Sequence, residues 1–336
     1  MQFASDSRVR LTVAEARALA EQTLGRAGYD AEEARIISDH VVDAALCGYE
    51  YSGLPKILNV TEHKRLREPR KRIVPVRETP VSALLDGGNN NGMLAMYRAT
   101  QLAIRKASEH GFAVVGVNNT WMSGRSAHYA EMVARAGLIC IHSVSTYRHV
   151  APPGAAAAAT GTNPIAFGFP TEGEPFLIDM GASAFMGTDL AFRVRRGEML
   201  PEGVAIDAEG SPTRDPTQVS AILPFGGHKG FALALAMQAL GVFAGSGTDV
   251  QKVYGYLIMA MKPDLLLPIE DYRRDMSAML AGIKATPRQP GVDEIRLPGE
   301  RSLRERAKNL QEGLEIDRRI YDALVNAPEG KLPDYT

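Results

Sequence analysis

The residue with the clearest local context for chemistry is Lys229, in the run Gly226-Gly-His-Lys-Gly230 between a strand-like ILPF and the long apolar stretch FALALAMQALGVF. Glycines there let backbone N–H groups approach an anion, the start of a helix adds positive potential, and His228 and Lys229 add side-chain donors. The run can therefore cradle a phosphate. A strand-to-helix turn with an exposed lysine is spelled the same way, and the run alone leaves both readings open. No G-x-G-x-x-G follows a strand and no G-x-x-x-x-G-K-[ST] occurs, so neither a Rossmann fingerprint nor a P-loop is supported.

Other chemistries are thinly represented. There is no H-E-x-x-H, no C-x-x-C and no close His/Asp set, so no metal is expected. Cys47 and Cys140 read as buried thiols, and without a G-x-S-x-G elbow a serine hydrolase is disfavoured. Among the histidines, His142 lies inside an apolar strand and reads as core, His128 opens a helix, and His149 sits in the loop STYRHVAP. With 336 residues and a net charge of -1, the chain has room for a sizeable core and no global field to draw nucleic acid or an anionic membrane. The opening residues lack a signal-peptide h-region and the apolar stretches are too short and Gly-rich to span a bilayer, so the expectation is a cytoplasmic protein with a small-molecule partner.

These residues need a scaffold. Thr12 with Glu15 and Asp30 with Glu33 are two capping boxes, each opening a helix closed by Gly28 or Gly48. The stretch HKRLREPRKR, His63 to Arg72, reads as a solvated loop or frayed helix, with phosphate binding as the alternative, before the strand-like IVPV. From residue 80 to 146 strand and helix alternate: SALLDGG, a helix ending at Gly111, FAVVGVNN, the helix SAHYAEMVARAG and LICIHSVS. That alternation predicts an α/β fold with an at least partly parallel sheet. The Ala155–Ala159 run, between PPG and GTNP, reads as small residues permitting close packing. A short helix, IDRRIYDALVN, closes the pattern.

The ordered series LLDGG, VGVNNT, HVAPPG, GTNPIAF, IDMGASAF, LPEGVAIDAEGSPTRDP, ILPFGGHKGFALAL and LPGERS resembles the malate/L-lactate dehydrogenase family, which includes ureidoglycolate dehydrogenase, diketogulonate reductase, sulfolactate dehydrogenase and piperideine-2-carboxylate reductase. The resemblance runs from about Leu11 to Val325. It implies a family-specific, non-Rossmann NAD(P)-binding α/β fold, sulfolactate dehydrogenase-like, with an N-terminal helical segment and an intertwined homodimer whose chains form the clefts together. The implied division is a helical segment over 1–75, with 296–336 packing near it, and an α/β cofactor-binding core over 76–295. Carried over by position, NAD or NADP should touch Thr146, the run Ile178, Asp179, Met180, Gly181, Ala182, Ser183 and Ala184, then His228 with Lys229, and Gly299 with Glu300. Asp179 and Ser183 can hydrogen-bond ribose or amide groups.

The chain also departs from the family. Members carry a serine-histidine-glycine after the second helix, whose histidine is the expected proton group, followed shortly by an arginine. Here Ser52 stands at the histidine, and Lys56 replaces the arginine as a point charge without the bidentate fork. A second family histidine is met by Met122, with Trp121 beside it. Hydride addition to a ketone leaves an alkoxide that needs a proton from a group titrating near the working pH. The expected substitutes are His149 and Tyr147, or Tyr51 in the substituted motif itself, with Ser52 hydrogen-bonding the reacting function. Lys56 anchors a substrate carboxylate, while Tyr51, Trp121 and Met122 shape the wall. A protonated imine needs no enzyme acid when it takes hydride, so imine reduction suits the missing histidines. The expected activity is hydride transfer between a nicotinamide cofactor and a small carboxylate-bearing 2-oxo/2-hydroxy acid or imine. The alternative is a degenerate dimer that binds nucleotide without catalysis.

Overall fold

A computed structural model describes residues 8–247, 254–333 and 335. The two capping boxes form as expected, Thr12 opening α1 (Val13–Arg26) and Asp30 opening α2 (Ala31–Leu46). A 3-10 turn at Glu50–Ser52 then leads into α3 (Pro55–Thr61), started by a proline whose missing N–H costs nothing at the first position of a helix. Strand β1 (Arg8–Leu11) pairs antiparallel with β11 (Leu314–Asp317), which leads into α10 (Arg318–Val325). Leu24, Ile37, Ile57, Leu314 and Leu324 share one apolar core.

The second core lies against a seven-stranded sheet in the order β2 (Val74–Thr79), β3 (Ser82–Asp86), β4 (Phe112–Asn118), β10 (Gly255–Met261), β5 (Ile139–Ser145), β6 (Ile165–Phe169) and β7 (Phe176–Met180). The α/β alternation between 80 and 146 is present, with α4 (Gly92–His110) and α5 (Ser126–Arg135) between the strands. Only β3 and β4 pair in parallel, because β10 inserts antiparallel between β4 and β5. Gly111 ends α4 in the left-handed region at φ 84°, where other residues are strained.

Three further helices complete the surface: α6 (Gly187–Arg196), α8 (Ile269–Lys284) and α9 (Glu300–Glu312). Strands β8 (Ala205–Ile206) and β9 (Ala221–Ile222) form a small ribbon, and β9 precedes the glycine turn into α7 (His228–Phe243). Helix α7 packs on the sheet where Gly241 approaches Ser145 and Gly255. Its far side leaves Leu235, Val242 and Phe243 exposed. No described helix is long and apolar enough to cross a membrane.

One expectation fails and another holds in part. Ala155 to Ala157 and Ala159 are exposed instead of closely packed. In the basic stretch Lys64, Arg67, Lys71 and Arg72 are exposed, as a solvated loop implies, but Lys64–Arg67 form a 3-10 turn, Arg65 is buried against Asn119 and Thr120, and Arg70 pairs with Glu33. Those two arginines are consumed as internal donors.

Candidate active site

Four stretches of the sheet and its surroundings converge on one cleft of about 370 Å³. From the first helical layer come Tyr49, Tyr51, Ser52, Lys56 and His63; from the loop after β4 come Met122 to Ser126. The ends of β5 and β10 add Val144, Thr146, Tyr147, His149, Tyr254 and Tyr256, and the end of β7 adds Asp179 and Gly181. Thus Ser52, Tyr51, Lys56, Met122, Thr146, Tyr147, His149, Asp179 and Gly181, scattered over more than a hundred positions, meet in one place.

Lys56 is 4% exposed, and its ammonium makes no hydrogen bond or ion pair among the described residues. Burial alone brings its ammonium down to about 8. Ser52, at the end of the 3-10 turn four residues before it, is likewise buried, and its hydroxyl has no partner among the described residues. His149 packs on Gly187, where an added Cβ would lie 2.9 Å from the imidazole; its Nε2 is buried and unpartnered, and burial lowers its protonation. Tyr147 sits edge-on to His149 with ring centres 5.5 Å apart, and burial pushes its phenol up, which keeps it neutral. Asp179 faces the open cleft but is hemmed by protein: burial raises its carboxyl, against the opposing N–H of Ala127, which donates to it at 2.8 Å.

Trp121 does not line the cleft. It is 1% exposed, donates Nε1–H to the carbonyl of Asn89, and stacks face to face on His63 at 4.3 Å. An indole beside a strand end buries too much apolar surface to be left in a wall. His63 takes the place at the cleft. Its Nδ1 accepts the Arg65 N–H at 3.2 Å, so in the neutral ring Nε2 carries the proton. Burial, then Arg65 and Lys64, lower its protonation. Sequence reading missed it because the surrounding lysines and arginines read as a solvated run; the signal was its place two helical turns beyond Lys56.

The other residues expected at the cofactor do not line the cleft. Ile178 and Met180 lie on β7, half-buried and exposed respectively. Ala182 donates its N–H to Thr162 and accepts that of Phe225, while Ala184 donates to Leu223, which draws the glycine turn against residues 181–184. Ser183 is already committed, donating its hydroxyl to Phe185. His228 and Lys229 stand exposed at the start of α7, outside the cleft. Gly299 packs against Leu177, and Glu300 is occupied by Lys284 and by the N–H of Leu297.

Behind the cleft wall lies a second charged group. Arg125 reaches Asp43 at 3.0 Å; Arg306 reaches Asp43 at 2.9 Å and Glu131 at 2.6 Å; Arg135 reaches Glu131 at 2.7 Å. Burial works to raise Asp43, but the His128 hydrogen bond and Arg125 hold its carboxyl below the ordinary range. His128 is therefore a structural partner. His142 is fully buried with Nδ1 against the Leu257 carbonyl, as its strand position implied. Among the described residues no group of three or more His, Cys, Asp or Glu side chains is placed to hold a metal.

A nicotinamide dinucleotide fits these residues. The open backbone at Gly226 and Gly227, both at positive φ with no atom near an added Cβ at Gly227, exposes N–H groups at the start of a sixteen-residue helix, as a pyrophosphate requires. Thr146, Asp179 and Gly181 offer polar atoms at the cleft for the carboxamide and ribose end.

The profile of the malate/L-lactate dehydrogenase family matches residues 11–325. A malate/(S)-sulfolactate dehydrogenase from Methanothermus fervidus is 31% identical, over 92% of this chain and 94% of its own. A ureidoglycolate dehydrogenase (NAD(+)) from Escherichia coli K12 is 30% identical over 92% and 93%. The crystal structure of delta1-piperideine-2-carboxylate reductase from Pseudomonas syringae superposes with a TM-score of 0.79 at 26% identity, covering 94% of this chain and 98% of that one.

Proposed function

The chain belongs to the malate/L-lactate dehydrogenase family, and on that premise we propose that it transfers hydride between a nicotinamide nucleotide and a small 2-oxo or 2-hydroxy acid. The observation that carries this reading is one cleft lined by both the buried, unpaired Lys56 and the β7-end residues Asp179 and Gly181. When bound, the nucleotide supplies the hydride or accepts it. An uncompensated buried cation is costly, and a substrate carboxylate is the anion that relieves the cost. Lys56 draws that carboxylate, Met122 and Tyr51 bound the space beside it, and Ser52 offers a hydroxyl to the reacting function. His149 and Tyr147 stand at the far side as neutral donors. Thr146, Asp179, Gly181 and the Gly226–Lys229 turn hold the nucleotide.

A second reading is reduction of the corresponding imine. Ser52 and Met122 stand where the family's histidines are expected, and the structurally similar Pseudomonas syringae enzyme is a reductase of a cyclic imine, by its name. A non-catalytic nucleotide-binding dimer has no such support, since an inert protein gains nothing from a buried unpaired lysine. The family's dimer suits the exposed apolar side of α7; Leu235→Glu should shift sedimentation toward the monomer, and an unchanged sedimentation coefficient would remove α7 from the interface. The decisive assay is fluorescence titration with NADH and NADPH, followed by turnover of 2-oxo acids with and without methylamine, and of cyclic ketimines. Oxidation of the nucleotide by 2-oxo acids supports the first reading, oxidation by imines alone the second, and failure to bind either nucleotide would sink both.

A further inference from the structure

We propose, resting on the hydride-transfer reading, that Lys56 is itself the catalytic acid and base, moving the proton that the family's missing histidines would have moved. Its side chain lines the cleft, 4% exposed and without any counter-ion among the described residues, four residues after Ser52, the position of the first missing histidine. In a 2-oxo acid the ketone oxygen and one carboxylate oxygen are neighbours, so a single ammonium with three N–H groups can donate to both at once. As hydride bonds to the carbonyl carbon, the C=O π pair moves onto oxygen, and that oxygen takes a proton from Nζ. Lys56 is left as a neutral amine and regains its proton from solvent. In alcohol oxidation the neutral amine takes the hydroxyl proton as hydride leaves carbon.

The other groups at the cleft are less suited. His63 has Nδ1 committed to the Arg65 N–H, so its ring is a fixed Nε2–H donor that loses a hydrogen bond if it is protonated. His149 is kept from protonation by burial, and Tyr147 holds its proton too tightly. The charged and titratable neighbours of Lys56 are His40 on α2, close enough to be felt electrostatically, and around the cleft His63, His149, Arg125 and Asp179 with the tyrosines Tyr49, Tyr51, Tyr147, Tyr254 and Tyr256. None forms an ion pair with Lys56, and α1 and α10, which pack on α3, bring apolar residues such as Leu24 and Leu324 to that core. Burial therefore sets its protonation without competition, bringing it down to about 8, within the range where a lysine can both give and take a proton.

Lys56→Arg tests this, because arginine keeps the charge and both donor contacts but does not deprotonate. With a 2-oxo acid turned over by the wild type, Lys56→Arg should lower kcat by about 100-fold or more while KM moves less than about threefold. A residue that only anchors the carboxylate would leave kcat intact in that variant. In the wild type the rate of ketone reduction should fall above about pH 8, and alcohol oxidation should rise through the same range, in mirror image. With ¹³C-labelled lysine, one side-chain resonance missing from Lys56→Arg should titrate over that range. Wild-type kcat flat from pH 6 to 10 in both directions, an active Lys56→Arg, or turnover confined to imines would overturn the role of Lys56 while leaving hydride transfer standing. Nucleotide binding with no turnover of any oxo acid, hydroxy acid or imine would overturn the hydride-transfer reading beneath it.

Discussion

Two groups of buried charge stand on either side of one wall. In the network of Arg125, Asp43, Arg306, Glu131 and Arg135, each carboxylate touches at least two cations and each cation at least one carboxylate. Lys56 is as deeply buried as Glu131 and touches no anion at all. Charges that are mutually satisfied hold α2, α5 and α9 together and have nothing left for a ligand. A charge that the fold leaves unsatisfied lowers stability and is relieved only by something that comes from outside. Within this family's frame, the difference separates structure from function more sharply than burial alone.

Substitutions at three positions sharpen or break that comparison. The largest effect belongs to the network: Glu131→Leu removes the carboxylate that Arg306 and Arg135 share, leaving Arg306 to Asp43 and Arg135 to Glu174, and should cost about 3 kcal/mol in urea unfolding, the low end for a broken buried pair. A loss below about 1 kcal/mol would mean that these pairs are ornamental. Lys56→Met should act in the opposite direction, stabilising the fold on the order of 3 kcal/mol at pH 7 while abolishing turnover. The sign follows from a folded pKa of about 8 against 10.5 unfolded. Between those values the unfolded chain holds more protons, so wild-type stability climbs with pH and the advantage of Lys56→Met shrinks across pH 8 to 10.5. A destabilised Lys56→Met would show that Lys56 has a partner and that the two regions are alike. The smallest effect is expected at His63: Phe in its place should cost about tenfold in kcat/KM, whereas His63→Gln, which keeps an N–H donor, should cost less. Equal rates in the two variants would make His63 a packing residue for Trp121.

Much of the scaffold was legible along the chain. The capping boxes at Thr12 and Asp30, the stop at Gly111 and the turn into α7 appear where the sequence puts them, because caps and left-handed turns are determined by neighbours within about four residues. Strand β10 was not legible as the centre of the sheet, nor were α6 and α8 singled out. The extent of parallel pairing could not be read either, because the alternation of strand and helix is the same whether or not a later strand inserts between two earlier ones.

The candidate site divides in the same way. Residue identities determined which groups were missing and which were present: Ser52 and Met122 in place of histidines, Lys56 in place of an arginine, and the glycine turn before Lys229. Spacing along a chain does not carry solvation, so only the tertiary structure decided that Lys56 is buried at a cleft and unpaired while Arg125, nearby, is neutralised. It also sent Trp121 into the core and brought His63 out of a basic run to the cleft. The charge of a residue belongs to its covalent structure, but what that charge costs, and therefore what it does, depends on how much water and which counter-charges the rest of the fold leaves beside it.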